Sequence, residues 1–383
     1  MAGLGRAFSL MLPTFACDPR VQMVAGADPR PAARERFARD FSARTYSSVA
    51  ELCDDPAVDV VYVSTPHQFH AEHTRLAAAR GRHLMVEKPM ALTIAEAEAM
   101  IDACARAGVQ LVVGHSQSFE HPILRTRALI AGGSFGALRM IAAFNYTDFL
   151  YRPRRPEELD SARGGGVIFN QAPHQMDVVR YLGGGLLRSV RALTGAWDAA
   201  RPTEGAYAAL LQFESGAFAT LTYSGYGHFD SDAFCDWIGE GGQQKEGAGA
   251  ARRALAGVAA EAEAALKAER NYGGERHGGA PAARAHGHFG VVIASCDRAD
   301  LRPVPTGVMI HGADGSTLDP LPRPAVPRQA VIDELYGAVI EGRAPVHDGR
   351  WGLATLEACL AILQSSRLGR DIPLERQVSC EPS

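Results

Sequence analysis

Two places in the chain combine residue types and spacings that can do chemistry. Lys88 sits in Glu87-Lys88-Pro89, directly after the apolar stretch Leu84-Met85-Val86. The following proline holds Lys88 in extended backbone. A lysine at the carboxyl end of a buried strand points into the crevice where open α/β sheets take ligands. Its ammonium can hold an alcohol oxygen and stabilise the alkoxide as it forms. The second place is the run Gly164-Gly165-Gly166-Val167-Ile168-Phe169-Asn170-Gln171-Ala172-Pro173-His174-Gln175-Met176-Asp177. Asn170, His174 and Asp177 have i, i+4, i+7 spacing, which predicts one helix face carrying all three. A carboxylate one turn beyond a histidine can set its tautomer and basicity, as a general base requires. The competing reading is a capped core helix with a satisfied histidine. No further cysteine or histidine lies at ligand spacing, so the run is not a zinc motif and no metal is expected.

A third group precedes them. Gly3-Leu4-Gly5-Arg6-Ala7 matches the first two glycines of a phosphate-binding turn that opens a helix. The first glycine permits the tight turn, and the second lets backbone approach a pyrophosphate. Asp28 closes the next strand, where an acid can bind the adenosine ribose hydroxyls and favour NAD over NADP. Arg30 and Arg34 nearby can offset the repulsion of a 2′-phosphate, so NADP stays compatible. Thr65-Pro66-His67-Gln68-Phe69-His70 follows a third strand at its carboxyl end. It reads equally as a ligand loop or as a turn starting a helix.

These residues need a scaffold, and the first hundred residues alternate as a parallel α/β unit does. Helices are expected at Arg6 to Phe15, Pro31 to Phe41, Val49 to Cys53, His70 to Arg80 and Ile94 to Ala107. Strands are expected at Val21 to Ala27, Val58 to Ser64, His83 to Glu87 and Val109 to Val113. Thr93 and Glu96 form a capping pair. The strand that should precede Gly3 has only Met1 and Ala2, which predicts a weakened sheet and a weakened cofactor turn. Beyond residue 119 strands dominate: Arg139 to Tyr146, Val190 to Ala196, Ala206 to Phe213 and Ala217 to Tyr223, in hairpin-like succession. Residues 241–288 read as an Ala/Gly-rich insertion, with a helical core from Ala250 to Glu269 and loose flanks: a lid, a subunit contact or a surface helix. Gln329 to Glu341 and Trp351 to Arg367 are amphipathic helices. The reading is thus α/β: a Rossmann domain over 1–118 with a truncated first strand, then an α+β domain over 119–383 with an open, mostly antiparallel sheet.

Composition narrows the class. The 383 residues are 46% apolar and carry a formal charge of −4, which leaves no basic footprint for nucleic acid. No run reaches membrane-spanning length. Seven scattered cysteines without a C-x-x-C pair suit a reducing, cytoplasmic setting. Residues 6–17 also read as a weak leader ending at Cys17, against the phosphate-turn reading. An open sheet face needs cover, so a homo-oligomer (dimer or tetramer) is expected.

Gly-x-Gly, Asp28, Thr-Pro-x-x-x-His, Glu-Lys-Pro and the glycine run with His-x-x-Asp, in this order, resemble the Gfo/Idh/MocA oxidoreductases. The resemblance implies a Rossmann domain with NAD and a small-molecule substrate. It implies cofactor contacts from Gly3, Leu4, Gly5, Arg6, Ala7, Asp28, Arg30, Ser64, Thr65, Pro66, His67, His70, Glu87, Lys88 and Gln117. Lys88 and His174, with Asp177, take the catalytic roles. Two departures stand out. Asn170 occupies a position where the family often has an acid, and Gly114-His115-Ser116-Gln117-Ser118-Phe119 lacks an arginine that many sugar-oxidising members carry. Pro66 to His73, Asn145 to Leu159 and Ser224-Gly225-Tyr226 resemble more narrowly the members that oxidise phthalate 4,5-cis-dihydrodiol to 4,5-dihydroxyphthalate. That substrate has two carboxylates, and Arg152, Arg154 and Arg155 offer guanidinium forks for them; a solvated arm is the equal alternative. Tyr146, Asn170, His174 and Lys88 complete the implied substrate set. A sugar or inositol dehydrogenase of the same family, and a non-catalytic dinucleotide-binding regulator, are the rival functions.

Overall fold

The computed structural model describes residues 1–114, 117–278 and 283–380. They fall into two compact units: Met1–Gly114 with Ala260–Ala280 and Pro324–Leu356, and His115–Ala259 with Pro281–Arg323 and Glu357–Ser383.

The first unit holds five short strands: β1 (Ala25–Ala27), β2 (Arg44–Tyr46), β3 (Val60–Val63), β4 (His83–Glu87) and β5 (Leu111–Gly114). β1 pairs with β2, and β3, β4 and β5 pair in succession, all in parallel. The short first strand lies between these groups. Ala2 bridges in parallel to Ala27 of β1 and to Val63 of β3. Its N–H donates to the Tyr62 carbonyl at 2.8 Å, and its carbonyl accepts from Ser64 N–H at 2.9 Å. On the other side Ala27 N–H donates to the Met1 carbonyl at 2.8 Å and Gly3 N–H to the Ala27 carbonyl at 2.9 Å. Two residues therefore supply ladder bonds on both flanks, and Gly3 leaves the sheet from its centre.

Helices α1 (Arg6–Cys17), α2 (Pro31–Phe41), α3 (Val49–Asp54), α4 (His70–Ala79) and α5 (Ile94–Ala107) connect the strands. The apolar run that reads as a leader is α1, with Phe8, Met11 and Phe15 buried. Thr93 and Glu96 form a full capping box at the start of α5, and Gly108 closes it in the left-handed region.

Two later segments belong to this unit, contrary to the expectation that everything past residue 119 forms the second domain. Tyr272 shows why. It is fully buried, its ring lies edge-on to Phe8 at 5.1 Å, and its hydroxyl donates to Asp40 at 2.6 Å. Likewise Val113 N–H donates to the His347 carbonyl at 2.7 Å, and Trp351 is fully buried. The expected helix over 250–269 is two pieces, Ala250–Leu255 and Glu263–Glu269. Gly257, at φ +76°, turns the chain out of helical geometry between them. The part of the insertion at residues 279–282 lies outside the described residues.

The second unit is built on nine strands: β6 (Leu138–Tyr146), β7 (Leu187–Gly195), β8 (Ala206–Phe213), β9 (Phe218–Ser224), β10 (Val291–Cys296), β11 (Ala299–Val304), β12 (Gly307–Gly312), β13 (Gly315–Pro320) and β14 (Ile372–Pro373). Their order is β13-β12-β11-β10-β6-β9-β8-β7-β14. All pairs are antiparallel except β6 with β9: β7, β8 and β9 follow one another as the expected hairpins, but β6 lies parallel beside β9 and not next to β7. One face buries Ile141, Leu211 and Leu221 under Met176 and Val179, while Leu193, Leu210 and Phe218 are exposed.

Helices α6 (His121–Ala131), α7 (Gly166–Asn170) and α8 (Ala172–Gly183) follow the chain through this unit. The single helix expected to carry Asn170, His174 and Asp177 is thus broken at Gln171. Pro173 has no N–H to donate and its ring would crowd the carbonyl of Phe169 in a continuous helix. Asn170 accordingly sits on a different helix from His174 and Asp177.

Candidate active site

In the first unit the glycine turn has the geometry of a dinucleotide cradle. Gly3 lies at φ +86°, and a Cβ there would come within 2.9 Å of the Ser64 carbonyl oxygen. A Cβ at Gly5 would meet nothing within 4 Å, so backbone there is open to a ligand. Neither a side-chain cap nor an acidic residue occupies the first turn of α1. Its leading N–H groups and positive dipole end therefore fit a pyrophosphate. Ser64 Oγ donates to the Gly3 carbonyl at 2.8 Å and fixes the far side of the turn.

Asp28, at the end of β1, is buried and fully engaged. It accepts from Leu4 N–H at 2.9 Å, and Arg30 forks onto both of its oxygens at 2.9 and 3.0 Å. Arg30 also donates to the Leu4 carbonyl at 2.7 Å, and Arg34 to the Asp28 carbonyl at 2.7 Å. The acid that can bind a ribose is therefore neutralised by the arginine that can bind a phosphate. Arg6 and Ala7 begin α1 directly beyond this turn.

Thr65-Pro66 and Lys88-Pro89 are tied together by His70. Its two ring nitrogens lie 2.9 Å from the Pro89 and Thr65 carbonyl oxygens. Burial and then the Lys88 charge lower the His70 pKa, against the pull of the two carbonyls. Thr65 Oγ1 also bonds His73 Nδ1 at 2.9 Å, and the His67 ring lies 5.6 Å from that of His70. Glu87 does not face open solvent: the buried Tyr62 hydroxyl donates to it at 2.5 Å. Lys88 is half-buried and is joined to Pro89 by a cis peptide that the sequence gave no sign of.

In the second unit His174 stands at the start of α8, its backbone N–H donating to the Gln171 carbonyl at 3.1 Å. Its ring lies 5.0 Å from Phe289, which stacks on Tyr223 at 6.1 Å, which in turn stacks on Tyr207 at 5.9 Å. Tyr207 donates to Gln175 Oε1 at 2.7 Å and Tyr223 shares a 3.1 Å bond with Thr147. Burial pushes both phenols well above their ordinary range, so they remain neutral. Asp177 is fully buried and its charge acts on Arg180, which burial pushes down to about 10. Asn170 Nδ2 donates back to the Gly166 carbonyl at 2.8 Å.

The three arginines divide. Arg155 pairs within its own turn, with Glu157 at 3.1 Å and Glu158 at 3.4 Å. Arg154 is buried, lies 3.8 Å over the Phe149 ring and donates to the Phe149 carbonyl at 2.6 Å. Arg152 is exposed, 5.2 Å over the same ring, and its charge reaches Tyr223. Tyr146 alternates onto the sheet face opposite Asn145, where it meets Phe229 at 6.2 Å in a cavity of about 590 Å³ shared with Tyr151, Trp197 and Arg252. Gln117 belongs to this unit, with Nε2 donating to the Glu240 carbonyl at 3.2 Å. His115 and Ser116 lie outside the described residues.

Comparison with known proteins decides the family. Residues 1–115 match the model of the oxidoreductase family with NAD-binding Rossmann fold, and residues 123–244 match the GFO/IDH/MocA C-terminal domain. This chain is a Gfo/Idh/MocA oxidoreductase. It is NAD-dependent. It is 46% identical over 374 residues to 1-carboxy-3-chloro-3,4-dihydroxycyclohexa-1,5-diene dehydrogenase of Comamonas testosteroni, spanning 96% of this chain and 94% of that one. A crystal structure from Bordetella bronchiseptica RB50 superposes with a TM-score of 0.92 at 43% identity, covering 97% and 98% of the two chains. Levoglucosan dehydrogenase, solved with NADH and levoglucosan, shares the fold at a TM-score of 0.74 and 17% identity over 97% and 98%.

Among the described residues no group of three or more His, Cys, Asp or Glu could hold a metal, and no helix is long and apolar enough to cross a membrane. Sequence reading passed over Tyr223, Phe289 and Glu240. Tyr223 on the buried β9 and Phe289 in the bend before β10 both read as core, and only the stack onto His174 distinguishes them. Glu240 stands directly before Gly241 and Gly242, where the flank that reads as loose begins.

Proposed function

We propose that this oxidoreductase oxidises a carboxylated cyclohexadiene cis-diol to the corresponding catechol, phthalate 4,5-cis-dihydrodiol being the form with two carboxylates. The observation that carries the proposal is the 46% identity, over nearly the whole of both chains, to a dehydrogenase of a carboxylated dihydroxycyclohexadiene. Oxidation at one carbinol carbon removes a hydride and the hydroxyl proton. The resulting hydroxydienone tautomerises to the aromatic ring, so the overall step is strongly downhill. NAD⁺ bound at the glycine turn supplies the hydride acceptor.

The chain's own residues do the rest. His174 takes the hydroxyl proton, and Lys88, set by the His70 tie between Thr65 and Pro89, steadies the oxygen as charge develops. The stacked wall of Phe289 and Tyr223 offers a flat apolar surface to a six-membered ring. Arg152 is the arginine whose fork remains available for a substrate carboxylate, since Arg155 pairs within its own turn. The exposed Leu193, Leu210 and Phe218 on the open sheet face support a homo-oligomer, and the seven free cysteines suit a reducing, cytoplasmic setting.

The test is a spectrophotometric assay of NADH formation with phthalate 4,5-cis-dihydrodiol, 1-carboxy-3,4-dihydroxycyclohexa-1,5-diene and inositols in parallel. Turnover of a carboxylated diol well above that of any inositol is expected. Preference for inositol would overturn the proposal.

A further inference from the structure

Beside the aromatic wall of the second unit lies a set of buried polar atoms that the proton-transfer chemistry does not use. Glu240 Oε1 and Gln117 Oε1 are closed off from solvent and have no hydrogen-bond partner among the described residues. Both are acceptors. For Gln117 this assignment is forced: its amide nitrogen donates to the Glu240 carbonyl oxygen at 3.2 Å, and a carbonyl can only accept, so the remaining amide atom is oxygen. Asn145 Nδ2 is a buried donor in the same condition, while its Oδ1 accepts from Ser231 Oγ at 2.8 Å. Asn145 is the cross-strand partner of Tyr223, so it shares the buried sheet face with that ring. The Glu240 loop reaches the same aromatic wall, since the Ile238 carbonyl, two residues before Glu240, lies 2.7 Å from Nε2 of His288, the neighbour of Phe289.

The loop carrying Glu240 is held rigidly. Gly239 N–H donates to the Gln243 carbonyl and Gly242 N–H to the Gly239 carbonyl, each at 2.8 Å. Lys245 pairs with Asp230 and, at 2.8 Å, with Asp232. Two fixed acceptors and one donor, left unsatisfied in a buried setting, are an expensive arrangement unless a ligand completes them.

We propose that Glu240 and Gln117, with Asn145, form the acceptor site for the paired hydroxyls of the substrate. The proposal rests on the diol reading above and deepens it. A vicinal diol presents two O–H donors side by side, each with lone pairs left for Asn145 Nδ2. A carboxylate offers no donor and is repelled by Glu240. The site thereby selects the hydroxyl-bearing edge of the ring and directs the carboxylate away, towards the arginine side. Glu240 is a specificity-determining residue and takes no part in proton or hydride transfer.

The test uses the full-length chain and its Glu240→Gln and Glu240→Ala variants with NADH present. Calorimetric titration compares 3,4-dihydroxybenzoate, which keeps both hydroxyls, with benzoate, which has none. Wild type is expected to prefer the dihydroxy compound at least tenfold. E240Q is expected to lose about tenfold of that preference with benzoate binding unchanged, and E240A to lose at least as much. On the diol, KM should rise more than kcat falls. The melting temperature of E240Q should be equal to or above that of wild type, because the charge of a half-buried carboxylate with an unpartnered Oε1 has been removed.

The inference is overturned if wild type shows no preference, or if E240Q retains the wild-type preference. It is also overturned if E240Q loses both ligands equally together with a lowered melting temperature, the mark of a structural role. If the preference is present and falls in E240Q while wild type fails to oxidise any carboxylated diol, the acceptor site stands and the proposed reaction falls. If wild type oxidises the diol and E240Q keeps the preference, the reaction stands and the acceptor site falls.

Discussion

Lys88 and Arg30 are the residues on which single substitutions should speak most clearly. Lys88 follows β4 and is positioned through His70, yet it makes no part of the glycine turn. Replacing Lys88 with Met should lower kcat by about a hundredfold or more, the usual scale of a lost acid–base or oxyanion group. NADH affinity, read by fluorescence titration, should stay within about twofold; unchanged turnover would remove Lys88 from the reaction. Arg30 poses a question of cofactor choice, because its fork neutralises Asp28. Arg30→Leu frees a carboxylate that repels a 2′-phosphate. NADP-linked kcat/KM should therefore fall about tenfold more than NAD-linked kcat/KM, consistent with a lost charge-assisted fork. Equal losses for the two cofactors would show that Arg30 only braces the turn. The residue types were plain in the sequence, but the Arg30–Asp28 fork needed coordinates, since Arg30 and Arg34 both follow Asp28 within two turns of chain and only the structure shows which one forks onto its carboxylate.

At the scale of elements, short segments bear unusual responsibility. Met1 and Ala2 lie at the centre of the sheet, where Ala2 bridges to the strands on both sides and completes ladder bonds with them. The segment around Tyr272 is a second case. Its ring fills the space between α1 and α2, edge-on to Phe8 at 5.1 Å and facing Phe37 at 6.4 Å, with Arg36 over its face at 5.0 Å. Tyr272→Ala should destabilise the first unit by about 3–5 kcal/mol, the range for deleting a buried aromatic ring. Tyr272→Phe should cost about 1 kcal/mol, for the lost bond to Asp40. Urea unfolding followed by tryptophan fluorescence measures both, and an unperturbed Tyr272→Ala midpoint would show the segment to be dispensable. Periodicity could not assign this tyrosine to a core, because it stands amid glycines and charged residues with no repeating apolar pattern.

For the molecule as a whole, pH is the accessible variable. His288 is buried with its Nε2 2.7 Å from the Ile238 carbonyl and 3.7 Å from Asp232. Burial opposes its charge, yet Cys235, Asp232 and the Ile238 carbonyl outweigh this and hold its pKa up to about 9. A histidine raised in the folded state adds stability that is complete below its ordinary value of about 6.5 and is lost as pH rises through about 9. The melting temperature should accordingly decline between pH 6.5 and 9, and His288→Gln should flatten that decline while lowering the value at pH 6.5. A slope unchanged in the variant would assign the decline to other groups.

The sequence by itself determined the family, the glycine turn that opens α1 and the capping box that starts α5. These signals are local: a glycine pair, a strand end, a proline, a capping box. It could not determine the parallel pairing of β6 with β9, or the strands β10 to β13, of which the polar and largely exposed β13 lacks a clear alternating pattern. Nor could it place Tyr272 beneath α1, or bring Glu240 against Gln117 across more than a hundred residues of chain. Those features depend on non-local packing, where chain separation carries no information and only the closed core fixes which side chains meet.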